Sequence, residues 1–132
     1  MFNRTFAVAT LIVFLVAAVA FPEPAAAQCE LHKLLPQDGA ADDGFGISVS
    51  ISGAIAVVGA PFDDDNATNS GSAYLFDVTT GQQITKLRAQ DGAALDYFGY
   101  SVAINGDTAI VGAYWDDDNG SYSGSAYLFD IN

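Results

Sequence analysis

The sequence predicts an all-β chain made of two four-stranded antiparallel meanders that follow an N-terminal leader. The chain of 132 residues repeats itself, because residues 34–79 and 87–132 align without a gap and are identical at 29 of 46 positions. Within each copy, apolar residues recur with the period of two that is typical of a strand with one buried face. No helical periodicity occurs after the leader. The predicted repeats span residues 34–86 and 87–132.

Each strand of the first copy has its own signal. Residues 47–51 (ISVSI) alternate apolar and polar side chains, whereas residues 54–60 form an almost continuous apolar run, as expected of a strand covered on both faces. Residues 72–78 alternate again, and the more polar residues 84–88 suit a sheet edge. Four short strands joined by tight turns form the meander of a β-propeller blade.

The first 27 residues have the features of a secretory signal peptide. Arg4 supplies a positive start, residues 6–21 are apolar apart from Thr10, and Ala25–Ala27 offers the small residues that signal peptidase recognises. A membrane anchor is the competing interpretation, but this apolar run is shorter than the roughly 20 residues that span a bilayer. Gln28 is bulky for the residue before the lipid-bearing cysteine of a lipoprotein. We therefore expect a secreted, cell-surface or periplasmic protein without a stable membrane anchor, processed to residues 28–132.

The charge of the chain excludes one class of partner. The formal net charge is −12, and removal of Arg4 and Glu23 with the leader leaves it unchanged. A chain this acidic repels phosphate backbones, so we expect no nucleic-acid binding. Cys29 is the only cysteine, so no internal disulfide is expected.

The sequence also lacks the usual catalytic constellations. His32 is the only histidine, and no serine lies in a nucleophile elbow. Exposed runs of aspartate seldom provide the two defined carboxyl groups of a glycosidase cleft. We expect no enzymatic activity.

Aspartates concentrate in loops that a meander places at one end of its strands. The loop between the second and third strands leaves from the same end as the connection that enters the first strand, so both loop types share one rim. The aspartates in these loops are Asp38, Asp42, Asp43, Asp63, Asp64, Asp65, Asp91, Asp96, Asp116, Asp117 and Asp118.

The two longest acidic runs are candidate calcium sites. Calcium binds about six to eight hard oxygen ligands, including carboxylate and amide oxygens. The alternative is a solvated acidic loop that keeps the protein soluble. Beside the second run, aromatic side chains suit either contact with a sugar or protein or packing between blades. The candidate metal ligands are Asp63, Asp64, Asp65, Asn66, Asp116, Asp117, Asp118 and Asn119, and the aromatic residues are Tyr114, Trp115 and Tyr122.

The residues of both copies resemble the FG-GAP repeat, which builds the β-propeller of integrin α-chains and of many secreted bacterial proteins. Phe45-Gly46 and Gly59-Ala60-Pro61 match the residues that name the repeat, and the second copy has Phe98-Gly99 and Gly112-Ala113-Tyr114. The resemblance implies a non-catalytic extracellular module for adhesion or for binding a protein or glycan.

The resemblance extends only partly to the calcium loop of the family. That loop has aspartates at alternate positions, followed by glycine and a later aspartate. In this sequence Ala67 or Gly120 occupies the fifth position, and no later aspartate follows in either loop.

Two copies are fewer than the roughly four to eight blades of a closed propeller. Residues 31–35 match the fourth strand at 84–88 and are predicted to form a strand of their own. Two interpretations follow. The chain is a purely structural fragment of a longer array, with no ligand of its own and further blades beside it, or copies of the chain associate head to tail, each lending residues 31–35 to its neighbour.

Overall fold

The computed structural model describes residues 28–132 as two antiparallel β-sheets, and the predicted signal peptide lies outside these residues. In this part of the chain we find no helix that could cross a membrane. Sheet A contains, in spatial order, β1 (Ser48–Ser52), β2 (Ile55–Ala60), β3 (Ser72–Asp77) and β4 (Gln82–Leu87). Sheet B contains β5 (Phe98–Asn105), β6 (Thr108–Ala113) and β7 (Ser125–Asp130).

The prediction of an all-β chain with two antiparallel meanders is confirmed, although only sheet A has the predicted four strands and sheet B has three. Neighbouring strands in the sequence are neighbours in each sheet, and the strand bounds differ from the predicted ones by at most two residues. The pairing register also repeats, since Ser48 pairs with Gly59 in sheet A and Ser101 pairs with Gly112 in sheet B. The repeated sequence therefore produces a repeated backbone arrangement.

The prediction of a strand at residues 31–35 is wrong for the described chain, where this segment forms no strand. Leu34 nevertheless packs on the outer face of sheet A beside Phe45, as Leu87 at the end of β4 packs against the core shared with sheet B. The segment thus occupies the place of a preceding fourth strand. To form a strand, this segment would have to pair with the third strand of a preceding sheet, and residues 28–132 contain no such strand.

The main core lies between the two sheets. Val57 and Leu75 of sheet A pack against Phe98 and Val111 of sheet B, and all four are almost completely buried. Phe98 also contacts Tyr127 edge-on at 5.4 Å between ring centroids. The sheets are therefore held together by apolar burial.

At one point the two backbones come too close for side chains. A Cβ atom on Gly59 would overlap the carbonyl oxygen of Gly99, and one on Gly99 would overlap the carbonyl oxygen of Ser72. Gly99 also has a φ of +91°, which favours glycine. The hydroxyl of Ser48 donates to the Gly99 carbonyl at 2.7 Å. These residues set the distance between sheet A and sheet B at this point.

Candidate functional site

The predicted acidic rim brings together aspartates from different loops of one copy. Asp38 precedes β1 and the loop of Asp63 and Asp65 follows β2, yet all three reach the ammonium group of Lys86 on β4. The Lys86 Nζ lies 2.9 Å from Asp38, 2.8 Å from Asp63 and 2.5 Å from Asp65. We call Asp38, Asp63 and Asp65 the first cluster. Its counter-cation is supplied by the chain itself.

Asp63 is the buried centre of the first cluster. Its side chain is almost fully enclosed. One carboxylate oxygen accepts from the backbone N–H of Asp65 at 3.0 Å, and the other accepts from the Tyr74 hydroxyl at 2.8 Å and from Lys86. The Lys86 ammonium also lies 5.1 Å from the centre of the Tyr74 ring, within the range of a cation–π contact. The carboxylate is thus fully engaged by donors from the chain.

These contacts change the titration of the cluster. Burial raises the pKa of Asp63, but the hydrogen bonds from Lys86, the Asp65 backbone and Tyr74 outweigh it, so the pKa lies below its ordinary value. The Lys86 hydrogen bond likewise lowers the pKa of Asp38. Burial disfavours the charged form of Lys86, yet its three aspartate partners raise its pKa. These contacts favour the ionised forms of Asp38, Asp63 and Lys86.

Within residues 28–132, the second copy repeats the carboxylates and places no lysine in contact with them. We call Asp91, Asp116 and Asp118 the second cluster. The Tyr127 hydroxyl lies 2.8 Å from Asp116 and 3.1 Å from Asp91, and the backbone N–H of Asp118 donates to Asp116 at 3.1 Å. The residue equivalent to Lys86 would lie on a fourth strand of sheet B. Among residues 28–132, no lysine or arginine forms a salt bridge with the second cluster.

Without an ammonium group the second cluster titrates differently. The negative charges of Asp116 and Asp91 raise the pKa of Asp118, which means that its ionised form is disfavoured. Burial opposes ionisation of Asp116, but the Asp118 backbone and the Tyr127 hydroxyl lower its pKa. The net result is a half-enclosed carboxylate site with uncompensated negative charge.

The structure distributes the eight predicted metal ligands unequally. Asp63 and Asp65 lie together, as do Asp116 and Asp118. Asp64 instead accepts from the backbone N–H of Asn69 at 2.7 Å, and Asn66 accepts from Arg88 at 3.4 Å. Within the described chain, no group of three or more His, Cys, Asp or Glu side chains is arranged to hold a metal ion. Asp117 and Asn119 are exposed.

Sequence reasoning missed the partners that organise each cluster. Lys86 lies in a segment predicted only as a polar sheet edge, and the sequence predicts no specific role for Tyr74 or Tyr127. The alternation of side chains along β4 could have indicated this contact. Lys86 is paired with Tyr74 on β3, so both side chains lie on the same face of sheet A. The other rim aspartates have local roles, because Asp43 and Asp96 each accept from a backbone N–H three residues earlier at 2.6 Å.

A cluster of aromatic side chains surrounds Trp115, the residue before Asp116 of the second cluster. Trp115 is 5.2 Å from Tyr97 and 5.1 Å from Tyr122, and Tyr114 is 4.4 Å from Tyr100, measured between ring centroids. The first copy has no such cluster, because the equivalent residues are Phe62, Gly44, Asn69, Pro61 and Ile47. We call the five residues of the second copy, four of which are exposed, the aromatic patch: Tyr97, Tyr100, Tyr114, Trp115 and Tyr122.

The fold and the rim define a β-repeat module of the propeller-blade class. The FG-GAP repeat family matches residues 29–76 and 82–129, and the chain belongs to this family. The expected resemblance is thereby confirmed. A search of curated proteins finds no relative of the chain.

One solved structure of similar shape is a computationally designed protein named Ika4. It shares 17% sequence identity with this chain and superposes with a TM-score of 0.48. The match covers 79% of this chain and 49% of the designed chain, so this protein spans about half the length of that structure.

Proposed function

We propose that this protein is a secreted, non-catalytic β-propeller repeat module that binds an extracellular protein or glycan through the rim of its second copy. The observation that carries the proposal is the aromatic patch, in which Trp115 directly precedes Asp116 of the second cluster and which has no counterpart in the first copy. Exposed rings stack on the apolar faces of sugars and on protein side chains, while neighbouring carboxylates accept hydrogen bonds. Tyr122 is the most accessible of these rings, with 67% of its surface exposed.

A non-catalytic role is supported by how the rim uses its acids. Hydrogen bonds from Lys86 and Tyr74 help to lower the pKa of Asp63, so its carboxyl group is ionised and has no proton to donate as a general acid. His32 lies away from the acidic clusters, with its Nε2 atom 3.2 Å from the carbonyl oxygen of Thr79. Secretion is supported by the signal-like leader.

Replacing Tyr122 with asparagine, the residue of the first copy, should weaken ligand binding about tenfold, which corresponds to about 1.4 kcal/mol. Trp115 is the only tryptophan and contacts Tyr122, so its fluorescence reports binding directly. The probes are soluble oligosaccharides and extracellular matrix proteins, each titrated with and without calcium. Ser121→Thr, which also restores a first-copy residue, is the matched control. Unchanged fluorescence with every probe, or equal binding by Tyr122→Asn, would contradict the proposal.

Calcium binding at the predicted loops is a further proposal, and the second cluster is its better site. In the first cluster a calcium ion would have to displace Lys86, whereas the second has uncompensated charge. Millimolar calcium should raise the melting temperature, and Asp118→Asn should remove that rise.

Measured without calcium, Asp118→Asn also shows the effect of removing its charge alone. Since the pKa of Asp118 is raised, its ionised form costs stability at neutral pH, and Asp118→Asn should raise the melting temperature in a chelator at low salt. Asp107→Asn, which removes an exposed charge in the turn between β5 and β6, should leave the calcium response intact. A melting temperature that calcium does not change would refute calcium binding.

A purely structural role is the second candidate, and one observation favours it. The outer face of sheet B exposes Leu128, with 72% of its surface accessible, although the equivalent Leu75 is 2% exposed between the sheets. An exposed apolar sheet face is typical of a surface that another element covers.

A further inference from the structure

The outer edge of sheet B lacks the strand that completes sheet A. β3 pairs on its far side with β4, whereas within residues 28–132 its counterpart β7 pairs only with β6. Such an edge presents unpaired backbone donors and acceptors that can template another strand. A groove borders β7 and is lined by Arg88, Gln90, Asp91, Tyr127, Leu128 and Phe129.

The chain contains a segment with the sequence features of the strand that would fit this edge. When the repeat offset is applied, residues 31–35 (LHKLL) align with residues 84–88 (ITKLR), which comprise the end of β4 and the residue that follows it. Lys33 aligns with Lys86. In sheet A, Lys86 is paired with Tyr74. The same register would pair Lys33 with Tyr127 and bring its ammonium group to the second cluster. Lys33 is exposed in the described chain.

The two outer sheet faces expose the same kinds of residue that pack together in the core between the sheets. Val102 and Ile104 of sheet B pack in the core between the sheets, but their counterparts Val49 and Ile51 on the outer face of sheet A are 67% and 64% exposed. On the outer face of sheet B, Leu128 is exposed where its counterpart in sheet A is buried. The internal sheet–sheet contact can therefore be repeated between two molecules.

We infer that copies of this chain assemble head to tail. Residues 31–35 of one copy add to the edge of β7 in the next copy as its fourth strand, and Lys33 enters the second cluster as Lys86 enters the first. Leu34 keeps its present contact with its own sheet A, as Leu87 does for sheet B. Because the two surfaces differ, the contact is heterologous and either closes into a ring or propagates. Rings of about two to four chains would have about four to eight blades.

The test is the molar mass of the chain recovered from a secreting host, measured by light scattering in a chelator so that calcium cannot compete with Lys33. Mass spectrometry defines the N-terminus of the recovered chain. We expect a mass at least twice that of a single chain. Lys33→Glu should return the mass to that of one chain, and Gln28→Glu, a charge change in the same segment, should not. Circular dichroism verifies that both variants retain their β-structure.

Two results would overturn the inference. A single-chain mass for the unaltered protein at micromolar concentration would show that β7 is not completed by a second copy, and would favour a following strand of a longer chain. An assembly that survives Lys33→Glu would show that copies associate through another surface. The inference is independent of ligand binding at the aromatic patch, which is measured separately by Trp115 fluorescence.

Discussion

Replacing Lys86 with methionine should lower the free energy of unfolding by about 3 kcal/mol, since removing one partner of a buried ion pair leaves an uncompensated charge. Methionine preserves the apolar stem that covers Tyr74, so the loss comes mainly from the ammonium group. Three carboxylates are affected, of which Asp63 is enclosed and the other two are partly exposed. Urea denaturation of wild type and variant at pH 7 measures the difference.

The matched control is Lys33→Met, which makes the same substitution at the equivalent repeat position, where the side chain is exposed. It should change the stability of the single chain little. A pH series gives a second check. Because the pKa values of Asp38 and Asp63 are lowered, their stabilisation is present above their ordinary value of 3.8 and is lost as the pH falls through the lowered values. The gap between wild type and Lys86→Met should therefore narrow in acid. A small difference in the free energy of unfolding between wild type and Lys86→Met at pH 7 would contradict a stabilising role of Lys86.

Replacing Gly59 with alanine should destabilise the protein by about 3 kcal/mol, the upper part of the range for overpacking a core. The added methyl group would overlap the carbonyl oxygen of Gly99, which is backbone and has no rotamer to change. The two sheets would have to separate, and the core around Val57 and Phe98 would loosen. Thermal unfolding followed by near-ultraviolet circular dichroism measures this loss of packing.

Gly112→Ala is the matched control, because it adds the same methyl group at the same repeat position of sheet B. Its nearest neighbour is the Ser101 hydroxyl, a side-chain atom that can rotate away, and no backbone from another sheet approaches it. We expect a cost below about 1 kcal/mol, typical of a partly exposed site. Equal effects of the two substitutions would mean that Gly59 is required for its strand and not for the contact between sheets.

The strands could be predicted because their signals are local. The alternation in residues 47–51 and the apolar run in residues 54–60 each specify a burial pattern, and β1 and β2 follow. The segment at residues 31–35 carries an equally local strand signal, yet it forms none in the described chain. A strand exists only with a partner for its backbone, and local sequence does not specify that partner.

The site was predictable in its carboxylates but not in its cation. The acidic loops are visible as runs of aspartate, and the meander places them on one rim. The lysine that forms salt bridges with the first cluster lies 21 residues after Asp65 along the chain. Only the pairing of β3 with β4 brings the two together, and the same register identifies the second cluster as the one without an ammonium group.

The sequence by itself therefore determined the repeat, the strand order and the gathering of acids at one end, because each depends on periodicity and on the alternation of hairpins. The tertiary structure decided which carboxylates pair with a lysine and which sheet face stays exposed. Those outcomes depend on contacts between residues that are distant in the sequence, and they differ between copies whose local sequences are nearly the same. A fourth strand beside β3, and none beside β7 in the described chain, is the physical reason for that difference.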